Sequence, residues 1–96
     1  MLKITPDPPR AAITHTKQKA FGPLDHNNRH LFTVREGIAI EDALVNVVML
    51  LDCAEATGWD AAEHLDLNDK ALAFAMIRSV ESARALVMAL LESVET

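Results

Sequence analysis

Two histidines stand at a spacing that metal sites use. His26 and His30 are separated by three residues, which on a helix would bring two imidazoles together. They lie in a polar stretch without a helical pattern, and only His15 is near enough in the chain to add a ligand. Because zinc needs three or four protein ligands, we interpret these histidines as solvated and predict no metal and no other cofactor.

The single cysteine, Cys53, is flanked by the carboxylates of Asp52 and Glu55. Negative charge and an apolar setting both oppose thiolate formation, so we predict a buried structural cysteine. His64 has no serine or cysteine near it in the sequence that would complete a nucleophile and base. We therefore predict no catalytic residue and no enzyme activity.

Several carboxylates follow one another along a predicted helix, as they do in bundles that bind two iron ions; they are Asp52, Glu55, Asp60 and Glu63. Such iron sites also use a Glu-x-x-His spacing. Here Glu63 and His64 are adjacent, which does not fit. We interpret these acids as a solvated face.

Two long helices must position any site. Apolar residues recur at steps of three and four over residues 40–65 and again over 73–94, which is typical of one helical face. We predict helices over residues 40–65 and 69–95, folded back at residues 66–68. The facing pairs would be Leu44 with Leu90, Val47 with Val87, Leu51 with Ala83, Ala54 with Val80, Gly58 with Met76, and Ala61 with Ala73.

Helix ends are less certain than helix faces in this sequence. Gly58 could end the first helix or lie within it, and we favour the second because the apolar stripe continues in phase. Asn68 is a suitable cap for the second helix. No capping side chain stands immediately before Ile40.

The first third of the chain has no periodicity. Residues 1–30 contain several prolines and are polar, so we predict a mobile arm. Residues 31–36 are predicted to be an extended segment, in which residues 31–34 have strand character. A strand there would need a copy of itself on another chain as its partner, and we favour the alternative, an extended strap across the helices. The remaining residues, 31–96, form one helical domain.

Charge and composition exclude some classes of protein. The formal net charge of the 96-residue chain is -5, which argues against nucleic acid or an anionic membrane as the main partner. Residues 1–30 carry five Lys or Arg against two Asp or Glu, and residues 31–96 carry four against twelve. No signal peptide or membrane span is evident, so we expect a cytoplasmic protein.

Both predicted helices carry more apolar surface than one partner helix can cover. We therefore predict an all-α fold, an antiparallel helical hairpin with an extended N-terminal arm that dimerises into a four-helix bundle. Asn46 could fix the register of such a dimer or simply be exposed, and Trp59 could anchor a partner or pack beneath the turn. The candidate interface or pocket residues are Asn46, Leu50, Cys53, Trp59, Leu72, Phe74, Ile77 and Leu86.

The function that follows is a small non-catalytic homodimeric interaction module, or a regulatory accessory with an unidentified protein partner. The alternative is a binder of a small apolar ligand or lipid in a pocket between the helices. That pocket would lie around Leu50, Cys53, Phe74 and Ile77.

From residue 31 onward the order of features resembles a known family. The segments that carry the resemblance are Leu31-Phe32-Thr33-Val34, Gly37-Ile38, Glu41-Asp42-Ala43-Leu44 and Leu50-Leu51-Asp52-Cys53-Ala54. They are similar to a family of short uncharacterised proteins from pseudomonads, in which a variable N-terminal arm precedes an extended segment and a helical pair. The resemblance implies a bacterial, cytoplasmic protein, and it brings no activity, ligand or functional residue.

Overall fold

The computed structural model describes residues 12–94, which form two strands followed by two helices. The elements are β1 (Lys19–Leu24), β2 (His30–Val34), α1 (Ile40–Ala62) and α2 (Leu67–Val94). The chain divides into two compact units, a hairpin unit that ends at Ile40 and a helical unit that begins at Glu41. Residues 1–11 of the predicted arm and the predicted helix end at residue 95 lie outside the described part of the chain.

Strands β1 and β2 form an antiparallel hairpin in which Phe21 lies opposite Phe32. The two rings are 5.8 Å apart between centroids. A bulge follows at Gly22, whose φ of 90° favours glycine. An ideal Cβ at Gly22 would lie 2.6 Å from Phe32 Cδ2, so the ring covers the glycine. At the turn, the Asp25 carboxylate accepts hydrogen bonds from the backbone N–H groups of Asn27 and Arg29.

The prediction of an all-α fold is wrong, because β1 and β2 form a two-stranded sheet. The partner of residues 31–34 is neither a helix surface nor another copy but β1 of the same chain. Gly22 and Pro23 break the alternation of β1, and this is why no strand pattern is visible there. The predicted four-helix bundle belongs to the same error in fold class, and over residues 12–94 the structure shows no dimer.

Backbone pairing continues beyond the sheet to the start of α1. The Thr16 N–H donates to the Ile38 carbonyl at 2.9 Å, and the Ile40 N–H donates to the Thr14 carbonyl at 2.8 Å. The first N–H group of a helix usually needs a side-chain partner or water. Here the preceding chain supplies a carbonyl, which explains why α1 begins without a capping side chain.

The helices of the helical unit meet along a seam centred on Gly58 and Ile77. Helix α1 continues through Gly58, as predicted. An ideal Cβ at Gly58 would lie 2.9 Å from Ile77 Cγ1, so only glycine permits this approach. Gly58, Ala62 and Ile77 are buried, whereas Ala54 and Ala61 of the predicted stripe are exposed. A straight helix has 3.6 residues per turn, so its buried face drifts away from a stripe drawn at 3.5.

The connection between the helices differs from the prediction at both ends. Helix α1 ends at Ala62 rather than near Leu65. Helix α2 begins at Leu67, and its cap is Asp66 rather than Asn68. The Asp66 carboxylate accepts the N–H of Asp69 at 2.9 Å, which is the bond that an N-cap makes.

Candidate functional site

The predicted interface residues are distributed over several surfaces. Ile77 is 1% exposed and belongs to the core. Cys53, predicted to be buried, is exposed. The others are exposed as well: Asn46, Leu50, Trp59, Leu72, Phe74 and Leu86. The structure brings Trp59 together with Phe74, and it does not gather the eight residues into one site.

An apolar groove runs between the helices on one side of the seam. Its volume is about 390 Å³. The lining residues are Cys53, Ala54, Thr57, Gly58 and Ala61 from α1, with Met76 and Val80 from α2. No charged side chain contributes to this lining. Small residues on α1 create the groove, and the larger side chains of α2 form its opposite wall.

The groove is the centre of a longer surface. Apolar and uncharged residues that continue the groove-lining positions at helical spacing extend this surface along both helices. We call it the apolar face: the groove-lining residues together with Asn46, Leu50, Leu72, Ala83, Val87 and Leu90. Leu50, Leu72 and Leu90 are more than half exposed on it. Arg84 is four positions after Val80, but its guanidinium pairs with the Asp52 carboxylate of α1, which does not line the groove.

Charged groups lie on the other side of the seam. The Arg84 guanidinium donates to the Asp52 carboxylate, which joins α2 to α1. An ion pair this exposed stabilises the helix pair by only about 0.5 kcal/mol. Beside it is a hollow of about 370 Å³ lined by Asp52, Glu55, Ala56, Trp59 and Arg84. The two sides of the helical unit therefore differ sharply in polarity.

Trp59 separates that hollow from a smaller one. Its ring packs against Phe74 with the centroids 5.6 Å apart and the planes tilted by 50°. A second hollow, of about 150 Å³, is lined by Trp59, Ala62, Glu63, Lys70 and Phe74. Both aromatic rings stay more than 40% exposed although they touch each other. Exposed tryptophan is enriched among the residues that dominate binding energy in protein interfaces.

Residues at helical spacing from Trp59 form a further exposed surface along α1. We call it the acidic face, and its central residues, four and three positions apart, are Val45, Met49, Asp52, Ala56 and Trp59, followed by Glu63 just after the helix end. Val45 and Met49 are 49% and 59% exposed. Every charged side chain of α1 is a carboxylate. Val45 and Met49 are not among the interface residues predicted from the sequence, although counting in sevens back from Trp59 through Asp52 gives Val45.

Within residues 12–94, no three His, Cys, Asp or Glu side chains are arranged to hold a metal ion. His30, one of the two histidines at metal-site spacing, has its Nδ1 2.9 Å from the Gly22 carbonyl. Neither α1 nor α2 is long and apolar enough to cross a lipid bilayer.

Comparison with known proteins identifies the family of the chain. No curated protein and no solved structure matches it. A model of a family of unknown function, DUF6124, matches residues 31–93, which run from β2 to the last turn of α2. The match therefore includes both helices and the two surfaces described above. Because it covers well over half of the sequence, the chain belongs to the DUF6124 family.

Proposed function

We propose that the chain is a small, non-catalytic, homodimeric interaction module that pairs through its apolar face. The observation that carries this proposal is the separation of charge across the seam. The groove side has no charged lining residue, whereas the opposite side holds Asp52, Glu55 and Arg84. Contiguous exposed apolar surface of this kind is rare on monomers and marks interaction sites.

A second copy suits the size of the apolar face. A helix of the length of α1, about 23 residues, spans roughly 35 Å, and two adjacent helices are together roughly 20 Å wide. The face then measures on the order of 700 Å² per chain, close to the roughly 800 Å² that each partner contributes to a stable interface. Because a two-fold interface uses one patch twice, a mainly apolar face matches itself without unpaired charges.

Sedimentation equilibrium of matched variants tests this pairing. Met76 on the apolar face and Met49 on the acidic face are 50% and 59% exposed, so neither supports much of the monomer's core. Met76→Lys should weaken dimerisation by at least about tenfold, because it places an unpaired charge in each half of the interface. Met49→Lys should leave the dimer unchanged. Circular dichroism of both variants checks that the helices remain folded.

Two results would contradict the proposed dimer. One is a wild-type chain that sediments as a monomer at every concentration tested. The other is a dimer that Met49→Lys weakens as much as Met76→Lys does, since the association would then involve a different surface.

The second candidate function is a binder of a small apolar ligand or lipid. The groove volume of about 390 Å³ lies within the range of small-molecule sites and favours this alternative. Of the four residues around which the sequence predicts a pocket, Cys53 alone lines the groove, while Phe74 borders a hollow on the other side. Native mass spectrometry of the purified chain would show a stoichiometric adduct under this alternative and bare protein under the first.

A further inference from the structure

The acidic face of α1 combines two features that a merely solvated surface does not require. Val45, Met49 and Trp59 recur along one line of the helix, and all three are close to half exposed. The charges of α1 are carboxylates without a compensating base on the same helix. Apolar side chains at helical spacing between charges of one sign form half of an amphipathic helix pair.

We propose that the acidic face binds a basic amphipathic helix of a partner protein. Large apolar side chains of that helix would cover Met49 and Trp59, and its lysines or arginines would lie along the carboxylates in and beside the acidic face. Those carboxylates are Asp42, Asp52, Glu55, Asp60 and Glu63. The expected partner is thus defined by charge and by an apolar stripe.

The hollows beside Trp59 provide the points of deeper contact. The larger one, about 370 Å³, is bordered by Asp52 and Glu55 and opens next to the Trp59 ring. Arg84 neutralises Asp52, and within residues 12–94 no cationic side chain forms an ion pair with Glu55 at that hollow. A cationic side chain of the partner could enter there, with its methylene groups against the indole and its charge near Glu55.

This surface is separate from the proposed dimer interface. Trp59 borders the hollow lined by Asp52 and Arg84, whereas Ala54 and Ala61 line the groove that adjoins Met76. Met49 precedes Asp52 by three positions and so continues the Trp59 side of α1. A dimer formed through the apolar face would therefore keep both copies of the acidic face accessible. Consequently, failure of the dimer does not remove this proposal, and failure of this proposal does not remove the dimer.

Intrinsic fluorescence measures binding at this face directly, because Trp59 is the only tryptophan in the chain. The probe is a synthetic helical peptide with leucines at heptad spacing and lysines at the other positions. Its control replaces every lysine with glutamate. We expect the basic peptide to shift the Trp59 emission to shorter wavelength as water leaves the ring, with an affinity that falls as salt is added. The acidic peptide should cause no shift.

The two methionine variants locate the binding surface. Met49→Lys should weaken binding of the basic peptide about tenfold, because it removes an apolar contact and adds a positive charge that repels the peptide's lysines. Met76→Lys adds the same charge to the protein on the opposite side and should change the affinity by less than about twofold. The proposal is overturned if the basic peptide leaves the Trp59 emission unchanged, if both variants weaken binding equally, or if the acidic peptide binds as well.

Discussion

At the residue scale, the contact between Gly58 and Ile77 fixes how closely the helices approach. An ideal Cβ at Gly58 would meet Ile77 Cγ1 at 2.9 Å and Met76 Cε at 3.2 Å. The methionine end can move, but Ile77 is buried and cannot yield without disturbing the core. The missing side chain is therefore a packing requirement within an otherwise regular helix.

Enlarging Gly58 should separate the helices. We expect Gly58→Val to lower the free energy of unfolding by about 2 kcal/mol, which is the usual cost of overpacking a core. Ala75→Val, at an exposed position of α2, should cost only about 0.5 kcal/mol through helix propensity. Urea denaturation followed by circular dichroism measures both, and equal losses would contradict the packing role of Gly58.

The cap of α2 provides a second comparison at this scale. Asp66→Ala should destabilise the helical unit by about 1 kcal/mol, because the N–H of Asp69 loses its acceptor. Asn68→Ala should have little effect, since the structure places Asn68 inside the first turn rather than at the cap. Thermal denaturation would contradict this assignment if Asn68→Ala proved the more harmful change.

The same turn shows what residue types can and cannot predict. Asp66 and Asn68 are both good caps, so the sequence predicts a cap in this region without deciding which residue acts. The choice depends on where the chain leaves the seam. That point is set by how Ala62 packs in the core, and local residue propensities do not contain this tertiary information.

At the scale of elements, the helical hairpin was predictable and the β-hairpin was not. Contacts between Gly58 and Ile77, and between Trp59 and Phe74, lie close to the register obtained from the two apolar stripes. Stripes on a helix repeat many times, so a small error in period still predicts two helices in approximately the correct register, although it shifts which residues are buried. Strand β1 has only six residues, and its bulge at Gly22 removes the alternation.

Two glycines of the hairpin unit have the same φ angle but different surroundings. Comparing them separates the cost of backbone strain from the cost of a steric clash. Gly22 and Gly37 both have a φ of 90°, but only Gly22 has a neighbour within 4 Å, the Phe32 ring. Gly37→Ala should destabilise the hairpin by about 1 kcal/mol through backbone strain. Gly22→Ala should cost more and weaken the NMR contacts between Phe21 and Phe32. Similar losses of those contacts in both variants would contradict the crowding of Gly22.

Two large aliphatic side chains of α2 differ in burial, one in the core and one on the surface. Ile77 and Leu86 are 1% and 69% exposed. Ile77→Ala should destabilise the helical unit by about 3 kcal/mol, because a buried side chain leaves a cavity. Leu86→Ala should change stability by less than about 0.5 kcal/mol. If calorimetry gave similar values for the two, the seam would not be the core of this unit.

At the scale of the whole molecule, the sequence predicts surplus apolar surface without predicting where that surface lies. It predicts a solvated acidic face on α1, and it does not predict that Val45 and Met49 lie exposed on the same side as those acids. The position of the groove depends on the drift that exposes Ala54 and Ala61, which a fixed heptad count does not give. Sequence pattern therefore identifies surplus apolar surface, whereas coordinates are needed to assign it to a side.

The two-stranded form of the hairpin unit has a consequence for amide exchange with heavy water. In the pairing around His15 and Ala39, the N–H groups of Thr16 and Ile40 point inward to carbonyls, and those of His15 and Ala39 point outward. Deuterium uptake should therefore be fast at the outward amides of His15 and Ala39 and slow at the hydrogen-bonded amides of Thr16, Gly37, Ile38 and Ile40. A third strand added by a binding partner would slow deuterium exchange at the outward amides of one edge. A changed exchange pattern would therefore reveal such a partner before its identity was known.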